Sequence, residues 1–172
     1  MEIPFAYRAL LPDEWETYKD VRLAALADSP DAFGSTLAAE QLRLPEGWRD
    51  RLAVAQVSGA DLPLAAFLGQ QVVGLVWAKV DAVDSTTVHV FQMWVAPQHR
   101  GQGIGKALLD HVISWARSIH AQALQLGVAC GDTPAVRLYS AAGFAVFGAR
   151  EPLRDGSPLL AQSMRLEFRS AV

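Results

Sequence analysis

The sequence contains little that would connect it to a disulfide, a nucleic acid or a membrane. Cys130 is its single cysteine, which allows no internal disulfide and does not suffice for a cysteine-based zinc site. Charged residues are 19% of the chain, the formal net charge is −3 and no long basic run occurs, so nucleic acid is not the expected partner. No apolar run approaches the roughly 18 residues of a membrane span. Because residues 1–10 lack a secretory signal pattern, we expect a cytoplasmic location.

Hydrophobic residues, in contrast, are abundant and predict one folded domain. They make up 51% of the 172 residues, which is enough for a sizeable core and too many for a disordered chain. No internal repeat or low-complexity segment divides the sequence. At this length we expect a single domain that spans residues 1–172.

Hydrophobic periodicity predicts an alternation of strands and helices. Strands are predicted at 5–10, 64–68, 72–80, 87–95, 123–128, 144–148 and 159–168. Helices are predicted from Pro12 to near Pro30 and at 46–57, 104–120 and 134–142, and 58–63 is predicted to be a loop. In the first of these helices the buried stripe is formed by residues at helical spacing, which are Trp15, Tyr18, Val21, Arg22, Ala25 and Leu26. This order predicts an α/β (α+β) fold with helices around a mixed sheet.

The most informative segment joins the strand 87–95 to the helix that begins near residue 104. Gly101, Gly103 and Gly105 alternate there, with Arg100 just before them and Lys106 just after the last. Backbone N–H groups in such a loop converge on one space, and the helix N-terminus adds partial positive charge. We predict a cradle for a phosphate or pyrophosphate. A simple tight turn is the alternative, but three glycines cost more chain entropy than such a turn requires.

Two well-known phosphate loops do not fit this spacing. A Walker A loop would need glycine where Arg100 stands and a hydroxyl where Ala107 stands. A dinucleotide fingerprint begun at the first or second glycine would need its last glycine at Lys106 or Leu108. The loop therefore belongs to another kind of phosphate site.

The spacing that fits is Arg100-x-x-Gly103-x-Gly105, which resembles the Q/R-x-x-G-x-G/A pattern of the GNAT acetyltransferases. Farther along, the segment 138–144 (LYSAAGF) resembles the Y-x-x-x-G-F segment of the same family. The two motifs occur in the family's order with a strand between them. The resemblance implies a mixed, mostly antiparallel sheet that is split after its fourth strand. It also implies acetyl-CoA, or another acyl-CoA, as the cofactor.

The resemblance further implies which main-chain groups hold the cofactor. The pyrophosphate would lie on the amides of Gly101, Gln102, Gly103, Ile104, Gly105 and Lys106. Met93, Trp94 and Val95 stand where the family has a β-bulge that frees backbone groups. The Met93 amide would polarise the thioester carbonyl, and Val95 would pair with pantetheine. The Arg100 side chain would contact phosphate or brace the loop, and the Lys106 side chain would contact phosphate or face solvent.

Three side chains are candidates for the remaining chemistry. The resemblance implies that the Tyr139 hydroxyl protonates the leaving thiolate, with a buried core tyrosine as the alternative. Asp132 stands where the family often has asparagine, so it would either contact the cofactor or cap the following helix. His89, on the strand before the bulge, would relay the proton of the attacking amine, or else be a polar residue on a sheet face. Other bases considered are Glu40, Glu46 and Asp50.

Together these inferences predict an acetyl-CoA-dependent N-acetyltransferase that transfers the acetyl group directly to a primary amine, without a metal ion. The acceptor would be a small molecule or a peptide, and the sequence does not say which. Acceptor specificity would lie in the N-terminal half of the chain, where segment 22–33 resembles a frequent opening helix and loop of the family. The alternative is a non-catalytic acyl-CoA-binding or regulatory module. If the strand 159–168 is a sheet edge, we expect a homodimer paired along it.

Overall fold

The computed structural model describes residues 4–169, in which helices flank one eight-stranded sheet. The ends of the predicted domain, 1–3 and 170–172, lie outside the described residues. The strands are β1 (Phe5–Ala9), β2 (Asp61–Leu68), β3 (Gln71–Val80), β4 (Thr87–Val95), β5 (Ala123–Ala129), β6 (Ala145–Val146), β7 (Glu151–Pro152) and β8 (Leu160–Glu167). The helices are α1 (Trp15–Asp28), α2 (Leu37–Gln41), α3 (Pro45–Ser58), α4 (Ile104–Ser118) and α5 (Pro134–Ala141). Short 3-10 turns lie at Pro12–Glu14, Pro30–Ala32 and Pro97–His99.

The sheet order is β1-β2-β3-β4-β5-β8-β6, with β7 also paired to β8. Only the β4–β5 pair is parallel, and every other pair is antiparallel. The predicted mixed, mostly antiparallel sheet flanked by helices is therefore confirmed. None of the helices within residues 4–169 has the length and apolar character to cross a membrane.

Alternating side chains of the central strands bury two hydrophobic layers, one on each face of the sheet. On one face α4 and α5 cover a core that contains Val76, Val88 and Leu108. On the other face α1 and α3 pack through Tyr18 and Trp48. Helix α1 therefore lies on the opposite face of the sheet from α4.

The sheet divides at the carboxyl end of β4, as predicted. The pairing of β4 with β5 stops at Val90 opposite Leu126, although both strands continue beyond these residues. At the same level the ladder between β3 and β4 shifts its register, because Leu75 faces Trp94 while Trp77 faces Phe91. Two residues of β4 consequently stand opposite one residue of β3, which is the signature of a β-bulge.

Three local predictions were wrong. The predicted loop 58–63 already contains the start of β2, where Asp61 pairs with Lys79 in the hairpin. The predicted helix 104–120 ends at Ser118, because His120 has a φ of +63° that no helix continues. The predicted edge strand 159–168 is not an edge, because β8 lies between β5 on one side and β6 and β7 on the other. The reason given for a homodimer is thereby removed.

Candidate active site

A cleft of about 1400 Å³ opens where β4 and β5 separate. The ends of both strands form its walls, and the glycine loop, the start of α4 and helix α5 close one side. Segments 28–35 and 153–161 border the other side. The Nη2 of Arg154 joins these two segments by donating to the carbonyl oxygens of Pro30 at 2.6 Å and Phe33 at 2.9 Å.

The glycine loop presents a row of free donors to this cleft. Within the described chain, none of the main-chain amides from Gly101 to Lys106 donates a hydrogen bond to another protein group. The first amide of α4 that does so is that of Ala107, whose acceptor is the carbonyl of Gly103 at 3.0 Å. The dipole of the 15-residue helix α4 adds positive potential at the same place. The loop has the donors that an anion cradle requires.

The glycines of this loop differ in how strictly the backbone requires them. Gly101 and Gly103 have φ values of +76° and +80°, which strain any residue with a side chain. Gly105 is helical, and a Cβ there would make ordinary contacts with Leu138 at 3.5 Å and Val95 at 3.8 Å. Alanine thus fits at Gly105 but not at Gly101 or Gly103.

Arg100 braces the loop, which was one of its two predicted roles. Its Nε donates to the carbonyl of Val95 at 2.9 Å, and its Nη2 donates to Asp28 at 2.5 Å. Asp28 also accepts from the hydroxyl of Ser29 and from the indole Nε1 of Trp94. The bonds from Ser29, Trp94 and Arg100 lower the pKa of Asp28 to about 2, so the carboxylate stays charged at neutral pH.

The side chain of Lys106 makes an ion pair with Asp110 one turn along α4, at 2.7 Å, and is 73% exposed. The side chain of Lys106 therefore faces solvent, which was one of its two predicted placements. Its main-chain amide is still one of the unpartnered donors of the loop. Gln102 is exposed and does not line the cleft.

Tyr139 lies in the cleft, as the predicted acid requires. Its side chain is 5% exposed, and burial raises the pKa of its hydroxyl above the ordinary value of 10.0. Among the described residues no hydrogen-bond partner of this hydroxyl is present. A phenol that stays protonated and faces a cleft can donate its proton to a ligand there.

The bulge lies at Gln92 and Met93, immediately before Trp94 and Val95. Gln92 has a φ of +61°, and its Oε1 accepts a hydrogen bond from the Tyr18 hydroxyl at 3.0 Å. Met93, Trp94 and Val95 all line the cleft. The structure thus brings the interrupted ladder, the glycine loop and Tyr139 together around one cavity.

Besides Gln102, two of the predicted site residues do not line the cleft. The ring of His89 pairs with the carboxylate of Asp81 at 2.8 Å and stacks on Phe91. Asp132 is paired with Arg137 at 2.8 Å, and its side chain is 85% exposed. The helix cap considered for Asp132 is instead Thr133, whose hydroxyl accepts from the amide of Val136 at 3.2 Å.

Among the other bases considered, Glu40 is buried and paired with two arginines. It is 6% exposed, and its carboxylate accepts from Arg43 and Arg51. Burial raises its pKa, but the two arginines outweigh that effect and lower it overall. Asp50 lines a smaller side cavity of about 430 Å³ that shares Phe91 and Gln92 with the cleft. Glu46 lines neither cavity.

Sequence reasoning missed two residues of the cleft. Gln92 cannot act as a base and was not a candidate site residue, but it forms the bulge through its backbone and ties β4 to α1 through its side chain. Arg22 was assigned to the apolar stripe of α1, and it lines the cleft while only 3% exposed. A charged residue within a buried stripe was the signal that could have revealed it.

These residues fit acetyl-CoA. The unpartnered amides of 101–106 match a pyrophosphate, the divided strands offer a slot for an extended amide-bearing chain, and Tyr139 lies where a thiol could be reached. No group of three or more metal-ligating side chains is present among residues 4–169. The cleft has the features of an acyl-CoA-dependent transferase.

Comparisons with known proteins agree with that class. Residues 14–144 match the model of the acetyltransferase (GNAT) family. A mycothiol acetyltransferase of Stackebrandtia nassauensis is 33% identical over 143 residues, which are 80% of this chain and 43% of that protein. The chain thus spans less than half the length of the curated relatives it matches.

Solved structures give the same fold. The yncA protein of Salmonella typhimurium, solved with its cofactor acetyl-CoA, superposes with a TM-score of 0.80 at 18% identity, covering 98% of this chain and 96% of that one. The PaiA N-acetyltransferase of Thermoplasma acidophilum, solved with coenzyme A, has a TM-score of 0.76 at 19% identity, covering 96% and 99% of the two chains. The chain belongs to the GNAT acetyltransferase family. The predicted family and fold are confirmed, and acetyl-CoA is confirmed at the level of the family.

Proposed function

We propose that this chain is an acetyl-CoA-dependent N-acetyltransferase that transfers the acetyl group directly to a primary amine. The observation that carries the proposal is the convergence of three features on one cleft. These are the unpartnered amides of 101–106, the bulge at Gln92 and Met93, and the buried hydroxyl of Tyr139. Acetyl-CoA would supply an activated acetyl thioester. The protein itself would position the two reactants and would donate the proton that the departing sulfur takes up.

Each part of the cleft has a separate task in this proposal. The amides of 101–106 and the start of α4 hold the pyrophosphate, and Arg100 keeps the loop in place from behind. The main chain of Met93 stabilises negative charge on the carbonyl oxygen, while Val95 aligns the pantetheine. As the nitrogen of the amine bonds to the acyl carbon and the carbon–sulfur bond breaks, Tyr139 gives its proton to the departing sulfur. Solvent takes the proton that the amine nitrogen releases and returns one to the Tyr139 oxygen, so the tyrosine is regenerated.

Calorimetric titration with coenzyme A tests the cradle. Gly103→Ala forces a side chain onto a φ of +80°, and we expect its dissociation constant for coenzyme A to rise about tenfold. Gly105→Ala is the matched control, since its Cβ has room and the position is helical. Its affinity should stay within about threefold of the parent. A parent protein that ignores coenzyme A, or a Gly105→Ala variant that loses more affinity than Gly103→Ala, contradicts the proposal.

A second assay separates catalysis from mere binding. Release of free coenzyme A thiol is followed with acetyl-CoA and a panel of primary amines, with the same amines at low pH as an unreactive reference. Turnover that depends on the amine supports an enzyme. Tight binding of coenzyme A without turnover of any amine would instead identify a non-catalytic acyl-CoA-binding module.

A further inference from the structure

Arg22 of α1 is a buried cation without a counter-ion bonded to it. It is 3% exposed, and its Nε and Nη1 have no hydrogen-bond partner among the described residues. The carbon atom Cζ of its guanidinium lies 4.7 Å from the centroid of the Phe33 ring, a cation–π contact. Desolvation lowers the pKa of Arg22, although arginine remains protonated. Native proteins rarely bury a charge in this way unless something binds it.

The position of Arg22 is fixed by two anchors between α1 and β4. The Tyr18 hydroxyl bonds to Gln92 at the bulge, and the carboxylate of Asp28 bonds to the Trp94 indole at 3.0 Å. Arg22 follows Tyr18 by one helical turn, so it lies on the same face of α1 and between the anchors. Its side chain therefore borders the cleft beside the bulge, where the proposed transfer occurs.

The charges around Arg22 favour an anion. Glu40 attracts Arg22 through space, but its carboxylate oxygens already accept from Arg43 and Arg51. Three arginines thus surround one buried carboxylate, and Arg22 is the one among them that makes no hydrogen bond with it. A carboxylate is a strong partner for such a group, because its hydrogen bonds with a guanidinium are charge-assisted.

The phosphates of the cofactor are not the natural occupant of this site. They are accounted for by the amides of 101–106 at the start of α4, which packs on the opposite face of the sheet from α1. On α1, the residue next to the glycine loop is Asp28, which accepts a hydrogen bond from Arg100. Arg22 lies six residues earlier, about 9 Å away along the helix axis at 1.5 Å per residue. The free guanidinium lies on the α1 side, where the acceptor would enter.

We propose that Arg22 is a specificity-determining residue that binds a carboxylate of the acceptor, so the acceptor is an amine that also carries a carboxylate group. Amino acids and similarly small amino-carboxylic acids are the matching class. This inference rests on the proposed function. It adds that the acceptor binds by an ion pair as well as by its reacting nitrogen.

Matched pairs of acceptors test the inference. Each pair consists of an amino acid and its C-terminal amide, which has the same amine but no negative charge. With acetyl-CoA and the parent protein we expect kcat/KM to be about 10- to 100-fold higher for the acid than for the amide, as a charge-assisted pair provides. In Arg22→Gln that ratio should fall close to one, and Arg22→Lys should restore part of it. Arg8→Gln, at a surface arginine of β1 that does not line the cleft, should keep the parent's ratio.

Three outcomes overturn the inference. They are equal use of acids and amides by the parent, equal slowing of both by Arg22→Gln, and acetylation of amines only outside this class. Coenzyme A titration of the same preparations keeps the two proposals apart. If coenzyme A binds and amines are acetylated without the preference, only the role of Arg22 fails. If coenzyme A does not bind, the proposed function fails with it.

Discussion

Replacing Arg22 by methionine should make the protein more stable. The substitution removes a charge that is buried without a hydrogen-bonded partner and fills the same space with a flexible apolar chain. Exchanging buried ionic groups for apolar ones of similar size is often stabilising, by about 1–4 kcal/mol. The lost cation–π contact with Phe33 costs about 1 kcal/mol in return. The net expectation is a gain of up to about 3 kcal/mol, centred on about 1.5 kcal/mol, in the free energy of unfolding.

Urea unfolding without ligand measures this gain, and thermal unfolding should show a midpoint about 3–6 °C higher for a domain of this size. Arg8→Met is the matched control. Arg8 also lies over a phenylalanine ring, 4.1 Å from that of Phe67, but it is exposed and bonded to Glu14. That variant should lose up to about 1 kcal/mol. If Arg22→Met is instead destabilised by more than Arg8→Met, the guanidinium is a structural support, and the reasoning about an unpaired charge is refuted.

Three further substitutions test the rest of the cleft. Tyr139→Phe should lower kcat about 100-fold while the coenzyme A dissociation constant changes less than about threefold, and equal turnover by both proteins excludes the acid role. Lys106→Ala should leave coenzyme A affinity within about threefold of the parent, since its side chain pairs with Asp110, and a tenfold loss would show phosphate contact. Asp28 has a pKa lowered to about 2, so its stabilising contribution is full above its ordinary pKa of 3.8 and is lost as pH falls towards 2. Asp28→Asn should therefore flatten the loss of stability in urea titrations between pH 5 and 2, and an unchanged slope contradicts that assignment.

Local sequence patterns were sufficient for the elements that place the cofactor. The strand Thr87–Val95, the alternating glycines and the helix that begins at Ile104 are all determined by residues close in the chain. Glycine at 101 and 103 permits the positive φ found there, although Gly105 in the same run is helical. The short helix Leu37–Gln41 and the two-residue strand β7 escaped prediction because neither is long enough to show a period.

Long-range partners could not be derived in the same way. Asp81 pairs with the ring of His89 across a turn, and Asp28 pairs with Arg100, which lies 72 positions later in the chain. Because of these pairings, the His89 ring and the Arg100 guanidinium already have hydrogen-bond partners within the protein. Arg22 is the opposite case: it is of interest because two of its nitrogen atoms have no hydrogen-bond partner among the described residues. Hydrophobic spacing placed it correctly inside the protein without showing that its charge has no bonded partner there.

The twin hydrogen bonds from Arg154 to Pro30 and Phe33 have a consequence for the width of the cleft on that side. They tie the segment 28–35 to the segment that leads into β8, so these two borders cannot separate unless both bonds break. Both acceptors are main-chain carbonyls and arginine stays protonated, so a change of pH does not release this tie.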